Sequence, residues 1–183
     1  EFVQLYDAVF TELKLEGANI KLNNRKILSG IAETIGAKNL LVDFTIALDK
    51  LDKIGEEGVK KEMLEKGISE ISIEKLSPLF SLSGSNSEQL ESLRQLLIDS
   101  EEGSTGVEEL SFIMETIESL GLQSAKLSID VPLARGLNYY TGAIFEVSAP
   151  EGKREGERGD RGEFVGGEEV KEKSVYAVPV QDH

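Results

Sequence analysis

Between Leu40 and Gly121, apolar residues return every three or four positions, in short segments separated by glycine, proline and serine. That period belongs to helices with one buried stripe each. It commits the middle of the chain to several short, connected helices, which look like a small bundle of their own. Leu41, Phe44, Leu48, Leu51 and Ile54 make one face closing at Gly55, and Val59, Met63 and Leu64 make the next. Ile73, Leu76, Leu79 and Phe80 mark a further short helical turn, with Pro78 limiting it. Ser85 with Glu88, and Thr105 with Glu108, each have the capping-box form that starts a helix. Leu90, Leu93, Leu96 and Leu97 follow the first; Leu110, Ile113, Ile117 and Leu120 follow the second. Glu57–Lys61 and Glu62–Lys66 stand at i,i+4 in the favourable order, worth ~0.2–0.5 kcal/mol each.

The flanks have a different rhythm. Phe2, Leu5, Tyr6, Val9, Phe10 and Leu13 form one helical stripe, with Gly17 at its C-terminal cap. Asn19 to Asn23 places Ile20 and Leu22 at period two, a short strand. Asn24 then caps a helix with the face Ile27, Leu28, Ile31 and Ile35. From Lys126 the period is two again: Lys126 to Val131 reads as a half-buried strand and Ala143 to Val147 as a second. Gly136 and Asn138 lie between them, and we read the two as an antiparallel pair. Glu151 to Lys173 carries 8 acidic residues, 6 basic residues and 6 glycines. It buries too little apolar surface to offset ordering and is expected to be a poorly ordered tail. Ser174 to Val180 suits one last edge strand, kept off the sheet centre by Pro179.

Composition removes whole classes of chemistry. There is no cysteine, and the one histidine is the terminal His183. Disulfide frameworks, thiolate nucleophiles, Ser-His-Asp triads and cysteine or multi-histidine metal sites are therefore excluded. The formal charge of −14 argues mildly against a surface that grips nucleic acid by its phosphates. No apolar run approaches the ~18 residues of a membrane span. The opening EFVQLYDAVF has no basic n-region or cleavage signal, so a cytoplasmic location is expected.

One stretch departs from core-and-surface logic: LARGLNYYTGAIFEV, Leu133 to Val147. Of six arginines, three are in the charged tail, whereas Arg135 sits between an apolar strand and the pair Tyr139-Tyr140. A guanidinium in that setting suits bidentate binding of a carboxylate or phosphate, and Gly136 lets a ligand approach the backbone. The plainer reading is a structural arginine stacked on Tyr139, and the residues alone leave both open. Alternation in a regular strand gives Arg135 and Tyr139 one parity and Tyr140 the other. Both tyrosines reach one ligand only if the chain turns or bulges near Asn138; otherwise one of them is core. Phe145 and Val147 read as core, and Glu146 as a structural carboxylate on the opposite face.

This stretch resembles the histidine-binding signature of histidyl-tRNA synthetases, usually RGLDYYTG followed by an aromatic residue and Glu. IKLNNRKILSGIAETIGA is similar to the strand and helix after that family's second class-defining motif. FTIALDKLDKIGEEGVKKEML is similar to the start of its helical insertion domain. The resemblance covers Glu1 to about Gly152 and implies an α+β fold. Its parts would be an antiparallel sheet portion of a class II synthetase catalytic domain and a mostly helical insertion domain. The implied organisation is a catalytic helix-strand-helix segment at 1–38, the insertion at 39–122, catalytic strands with the signature at 123–150, and the tail at 151–183.

The resemblance also implies an activity: ATP-dependent conversion of L-histidine to histidyl-adenylate, then transfer to tRNA(His). By position, Arg135 would lie near the histidine carboxylate and the α-phosphate as the catalytic cation, with Tyr139 and Tyr140 lining the histidine pocket. ATP is the expected co-substrate, with Mg2+, and no protein-bound metal is expected. The family is normally a homodimer, and its insertion lies against the tRNA acceptor arm. Lys50, Lys53, Lys60, Lys61 and Lys66 are the basic cluster there, but Glu56, Glu57, Glu62 and Glu65 interleave them. A solvated charged face is the simpler reading. Asn138 replaces the family's common Asp, and Gly166-Gly167 is followed by Glu168-Glu169 where Arg-Tyr is expected. The other class-defining motifs lie outside this sequence, so the chain alone is expected to be inactive. The alternative is a non-catalytic regulatory or interaction module, such as the regulatory paralogue of ATP phosphoribosyltransferase, which usually lacks an intact signature.

Overall fold

The computed structural model describes residues 1–134 and 141–148 and the backbone of 175–176. Helix α1 (Phe2–Glu12) leads into strand β1 (Asn19–Asn24) and helix α2 (Arg25–Thr34). A 3-10 turn (Lys38–Leu40) opens the helical stretch: α3 (Leu41–Leu48), α4 (Leu51–Glu65), α5 (Glu70–Glu74), α6 (Ser77–Phe80), α7 (Asn86–Leu96) and α8 (Glu101–Leu120). Strands β2 (Lys126–Ile129), β3 (Ala143–Ser148) and β4 (Val175–Tyr176) follow. The α+β expectation holds, and the short β4 pairs antiparallel with β3 at the sheet edge.

The sheet order is β2-β1-β3-β4, which corrects the expected pairing of the two later strands. β1 lies between them, parallel to β2 and antiparallel to β3. The physical reason is connection length. Residues 130–142 separate β2 from β3, far beyond the two to five of a tight hairpin, so nothing local forces them together. β1 offers instead a register in which Ile20 and Leu22 face Leu127 and Ile129 on one side, Val147 and Phe145 on the other.

Those six residues form the apolar face, under α1 and α8. Val3, Ile20, Ile117 and Val147 cluster at one end, with Tyr6 and Phe10 against them. Leu22 joins a larger cluster that runs through Ile27, Ile31, Phe44, Met63, Leu93 and Leu110 to Ile129 and Leu133. α8 crosses α2 closely: a Cβ added at Gly30 would lie 2.4 Å from the Gly103 Cα. The helices between 40 and 121 thus share one apolar cluster with α2 and the sheet. Asp7 ties α1 to the approach to β2, its carboxylate accepting from the N–H groups of Gln123, Ser124 and Ala125 at 2.8, 2.9 and 2.7 Å.

Several local expectations are met in detail. Asn24 caps α2 by accepting from the Lys26 N–H at 2.9 Å. Ser85 and Glu88 form the reciprocal capping box of α7. Others are displaced. The cap of α8 lies five residues before Thr105, at Ser100, whose hydroxyl accepts from the Gly103 N–H. Thr105 sits inside the helix and donates to the Glu101 carbonyl, because Ser100 both caps α8 and reaches Glu33 of α2 at 2.7 Å. Pro78 stands in the first turn of α6 rather than limiting it, where its missing N–H costs nothing. Gly55, with φ 69° and ψ 174°, kinks α4.

Neither Glu57–Lys61 nor Glu62–Lys66 is an ion pair among the described residues. The kink brings Glu62 back to Lys50 (2.5 Å), Lys66 reaches Asp43 (3.2 Å), and Lys60 takes Glu56 (2.6 Å). Lys60–Glu56 is itself an i,i+4 pair in another register, whereas Glu62 and Lys66 take partners farther along the chain, as weak i,i+4 pairs readily yield.

Candidate functional site

Strand alternation places Asn19, Lys21, Asn23, Ser128, Asp130 and Glu146 on the sheet face opposite the apolar one. Lys21 is its charged centre, 2.8 Å from Asp130. Burial alone would lower the Lys21 pKa; the hydrogen bond and charge of Asp130, with Asp52 and Glu146 near, outweigh it and hold the ammonium above its ordinary value. Glu146 is 8% exposed and lies across from Lys21 in the β1–β3 register. Phe145 and Val147 face the core as the alternation indicates, Val147 buried and Phe145 half-buried.

The end of β1 holds the chain on both sides of residues 135–140. On the approach, the Asp130 N–H donates to the Leu22 carbonyl (2.9 Å) and the Leu133 N–H closes a turn onto Asp130 (3.0 Å). The Asn23 amide, fully buried, donates from Nδ2 to the carbonyls of Val131 (2.9 Å) and Leu133 (2.8 Å). Among the described residues its Oδ1 has no hydrogen-bond partner. On the return, the Arg25 N–H donates to the Gly142 carbonyl at 2.8 Å. Glu109 of α8 accepts from Asn24 Nδ2 at 2.8 Å and from the Lys26 ammonium, fixing the β1–α2 corner beside that return.

The sequence-derived candidates Arg135, Gly136, Tyr139 and Tyr140 lie outside the described residues, as does the bulge expected near Asn138. The charged tail at 151–173 lies outside them too. What the structure provides is the frame on either side: the turn that leads to Ala134, and Thr141 and Gly142 leading into β3 at Ala143. Asn23, Asp130 and Glu109 were not among the candidates. Asn23 has the polar parity of its strand, so alternation files it as surface; the one available signal was two adjacent asparagines ending a strand, where Asn is disfavoured.

A cavity of about 550 Å3 opens on the other side of the sheet, between α1, α8 and β3. Phe2, Phe112, Ile113 and Phe145 line it, and Thr141 and Gly142 reach its edge. Among the described residues no group of three or more acidic or histidine side chains is arranged to hold a metal ion. No helix among them is long and apolar enough to cross a membrane.

The family model for histidyl-tRNA synthetase matches residues 1–168. The chain belongs to this family. The match runs beyond Gly152, where the resemblance in the sequence had stopped. A histidine–tRNA ligase of Christiangramia forsetii is 62% identical over 164 residues, 90% of this chain and 36% of that protein. This chain therefore spans about a third of the length of such relatives. The crystal structure of histidyl-tRNA synthetase from Nostoc sp. PCC 7120 superposes with a TM-score of 0.71 at 30% identity, covering 80% of this chain and 36% of that one. A Bacillus halodurans structure titled ATP phosphoribosyltransferase regulatory subunit/histidyl-tRNA synthetase gives 0.65 at 22% identity, over 81% and 38%. At that identity it speaks for the fold alone. The small mixed sheet with flanking helices is thus the fold of synthetase neighbours.

Proposed function

We propose that this chain supplies the histidine-binding part of a histidine–tRNA ligase. Such a ligase would join L-histidine to ATP as histidyl-adenylate and pass the histidyl group to tRNA(His). The observation that carries the reading is the family match across residues 1–168, which includes the stretch Leu133–Val147. In it, Arg135 binds the histidine carboxylate and the α-phosphate, a fixed cation where charge develops as the adenylate forms. Tyr139 and Tyr140 line the imidazole pocket, and Gly136 admits the ligand to the backbone. A polar pocket of this kind rejects analogues that leave its donors or acceptors unpaired.

The domain division proposed from the sequence goes with this reading: catalytic segments at 1–38 and 123–150, and an insertion at 39–122 that meets the tRNA acceptor arm. Magnesium enters as the companion of ATP phosphates; the described residues offer it no ligand cluster. Homodimerisation and a cytoplasmic location belong to the same proposal. The non-catalytic alternative has only the 22% identity fold likeness behind it.

The test replaces the matching segment of the C. forsetii ligase with residues 1–148 of this chain. Histidine-dependent pyrophosphate exchange is then measured with and without Arg135→Ala. Loss of about 10²–10³-fold is expected, the usual cost of one donor to developing charge. A folded, inactive graft, or an Arg135→Ala graft as active as its parent, refutes the ligase reading. The 183-residue chain alone is expected to show no exchange.

A further inference from the structure

Resting on that ligase reading, we infer that the outward stripe of α1, with Phe112 of α8, is the surface on which the rest of the ligase chain packs. α1 is apolar on two sides. Its inner side sets Val3, Tyr6 and Phe10 against Ile20, Ile117 and Val147. Its outer side carries Phe2, Leu5 and Val9, continued by Leu13 at the C-cap, and all four are exposed. They stand at i, i+3, i+7 and i+11, a single helical stripe. Two polar side chains of α1 are spent inward instead. Asp7 accepts from the N–H groups of residues 123–125, and the Thr11 hydroxyl meets that of Ser124 at 2.8 Å. Gln4 and Glu12 are left as the polar side chains within the helix that face outward. A surface helix keeps one apolar stripe and turns its polar face to water; a helix apolar on both sides is a buried one.

The stripe does not stop at α1. Phe2 and Phe112 line the same cavity between α1, α8 and β3, and Phe112 is largely exposed. Ile71 is different: it is the one exposed large apolar side chain of α5, and such isolated residues are ordinary on any surface.

Charge and length select the occupant. The chain's own segment at 151–173 is mostly charged residues and glycine, with little apolar surface to offer. A second copy brings a further −14, and like charge of that size opposes self-association. The relatives keep about two-thirds of their length outside the matched segment. Chain that is covalently joined to this segment stands at an effective concentration on the order of millimolar, well above what a separate protein reaches. Its packing face would be apolar, matching aromatic and aliphatic side chains.

The chain has no cysteine, so an introduced thiol reports the exposure of its own position. Leu5→Cys, Phe112→Cys and the control Ile71→Cys are placed singly in the 183-residue chain and in the grafted C. forsetii ligase. Alkylation by iodoacetamide is timed by peptide mass spectrometry, each position being compared with itself. In the chain alone all three should label nearly as fast as in urea, since these positions are 61%, 71% and 72% exposed and access governs the rate. In the graft, Leu5→Cys and Phe112→Cys should slow by about tenfold or more, and Ile71→Cys should not. An unslowed rate at Leu5→Cys or Phe112→Cys in an exchange-active graft overturns the inference and leaves the ligase reading standing. So does equal slowing at Ile71→Cys, which would mean that the protection is not particular to this face. Protection in the chain alone also overturns it, assigning the face to a second copy if dilution relieves it and to the 151–173 segment if dilution does not. A graft without exchange activity sinks the ligase reading itself.

Discussion

Gly30→Ala sets two effects of opposite sign against each other at the α2–α8 crossing. Helix propensity favours alanine over glycine by ~1 kcal/mol in a helix interior, so a helix-only argument predicts stabilisation. The structure predicts the reverse. The new methyl would lie 2.4 Å from Gly103 Cα, 2.9 Å from Gly103 N and 3.1 Å from Ser100 Oγ, where carbon atoms normally stay about 3.5–4.0 Å apart. Two of the three obstacles are backbone, which no rotamer change removes. The helices must therefore part by about an ångström, and overpacking of this kind costs roughly 1–3 kcal/mol. Ser100 is displaced as well; it caps α8 and bonds Glu33, and a lost cap adds about 1 kcal/mol. Subtracting the propensity gain leaves a net loss of about 1–3 kcal/mol, or a Tm lower by about 2–12 °C for a chain of this size.

Thermal melts of the two chains by far-ultraviolet circular dichroism measure it. Gly103→Ala should fall less, because its methyl meets the Leu97 side chain at 3.0 and 3.1 Å before the Gly30 Cα at 3.2 Å, and a leucine can give way. An unchanged or raised Tm for Gly30→Ala would refute the backbone-contact argument.

The pH dependence at Asp7 follows from its three backbone donors. Burial pushes its pKa up, but the N–H groups of Gln123, Ala125 and Ser124 outweigh it and hold the carboxyl below its ordinary 3.8. A depressed carboxylate stabilises the fold fully above the unfolded value and stops doing so as pH falls through the folded one. Asp7→Asn should thus cost about 1–3 kcal/mol at neutral pH and shrink that deficit in acid melts. An equal deficit at pH 2 and pH 7 would contradict it. At the start of α8, Ser100→Ala should cost about 1–2 kcal/mol and Thr105→Ala almost nothing, read from urea midpoints; equal losses would mean the helix starts elsewhere.

The signals of the candidate site are legible in proportion to how local they are. Leu133–Val147 stood out because an arginine, a glycine and two tyrosines follow one another in the chain. Asn23 did not, since its partners are 108 and 110 residues away and one strand residue of polar parity looks like any other. Glu109 was hidden the same way, on a helix face whose partner is the β1–α2 corner.

Periodicity and caps are properties of neighbouring residues, so the sequence alone determined which stretches are helix or strand and where Asn24 and Ser85 begin their helices. It determined too which strand residues share a face, since alternation needs no partner. The partners themselves it left open. That β1 separates β2 from β3, that α8 is capped by Ser100 and crosses α2 on two glycines, and that Glu62 turns to Lys50 were decided only in the tertiary structure. Each depends on surfaces far apart in the chain meeting in register, where the burial of a shared core outweighs the few tenths of a kcal/mol that a local pair offers.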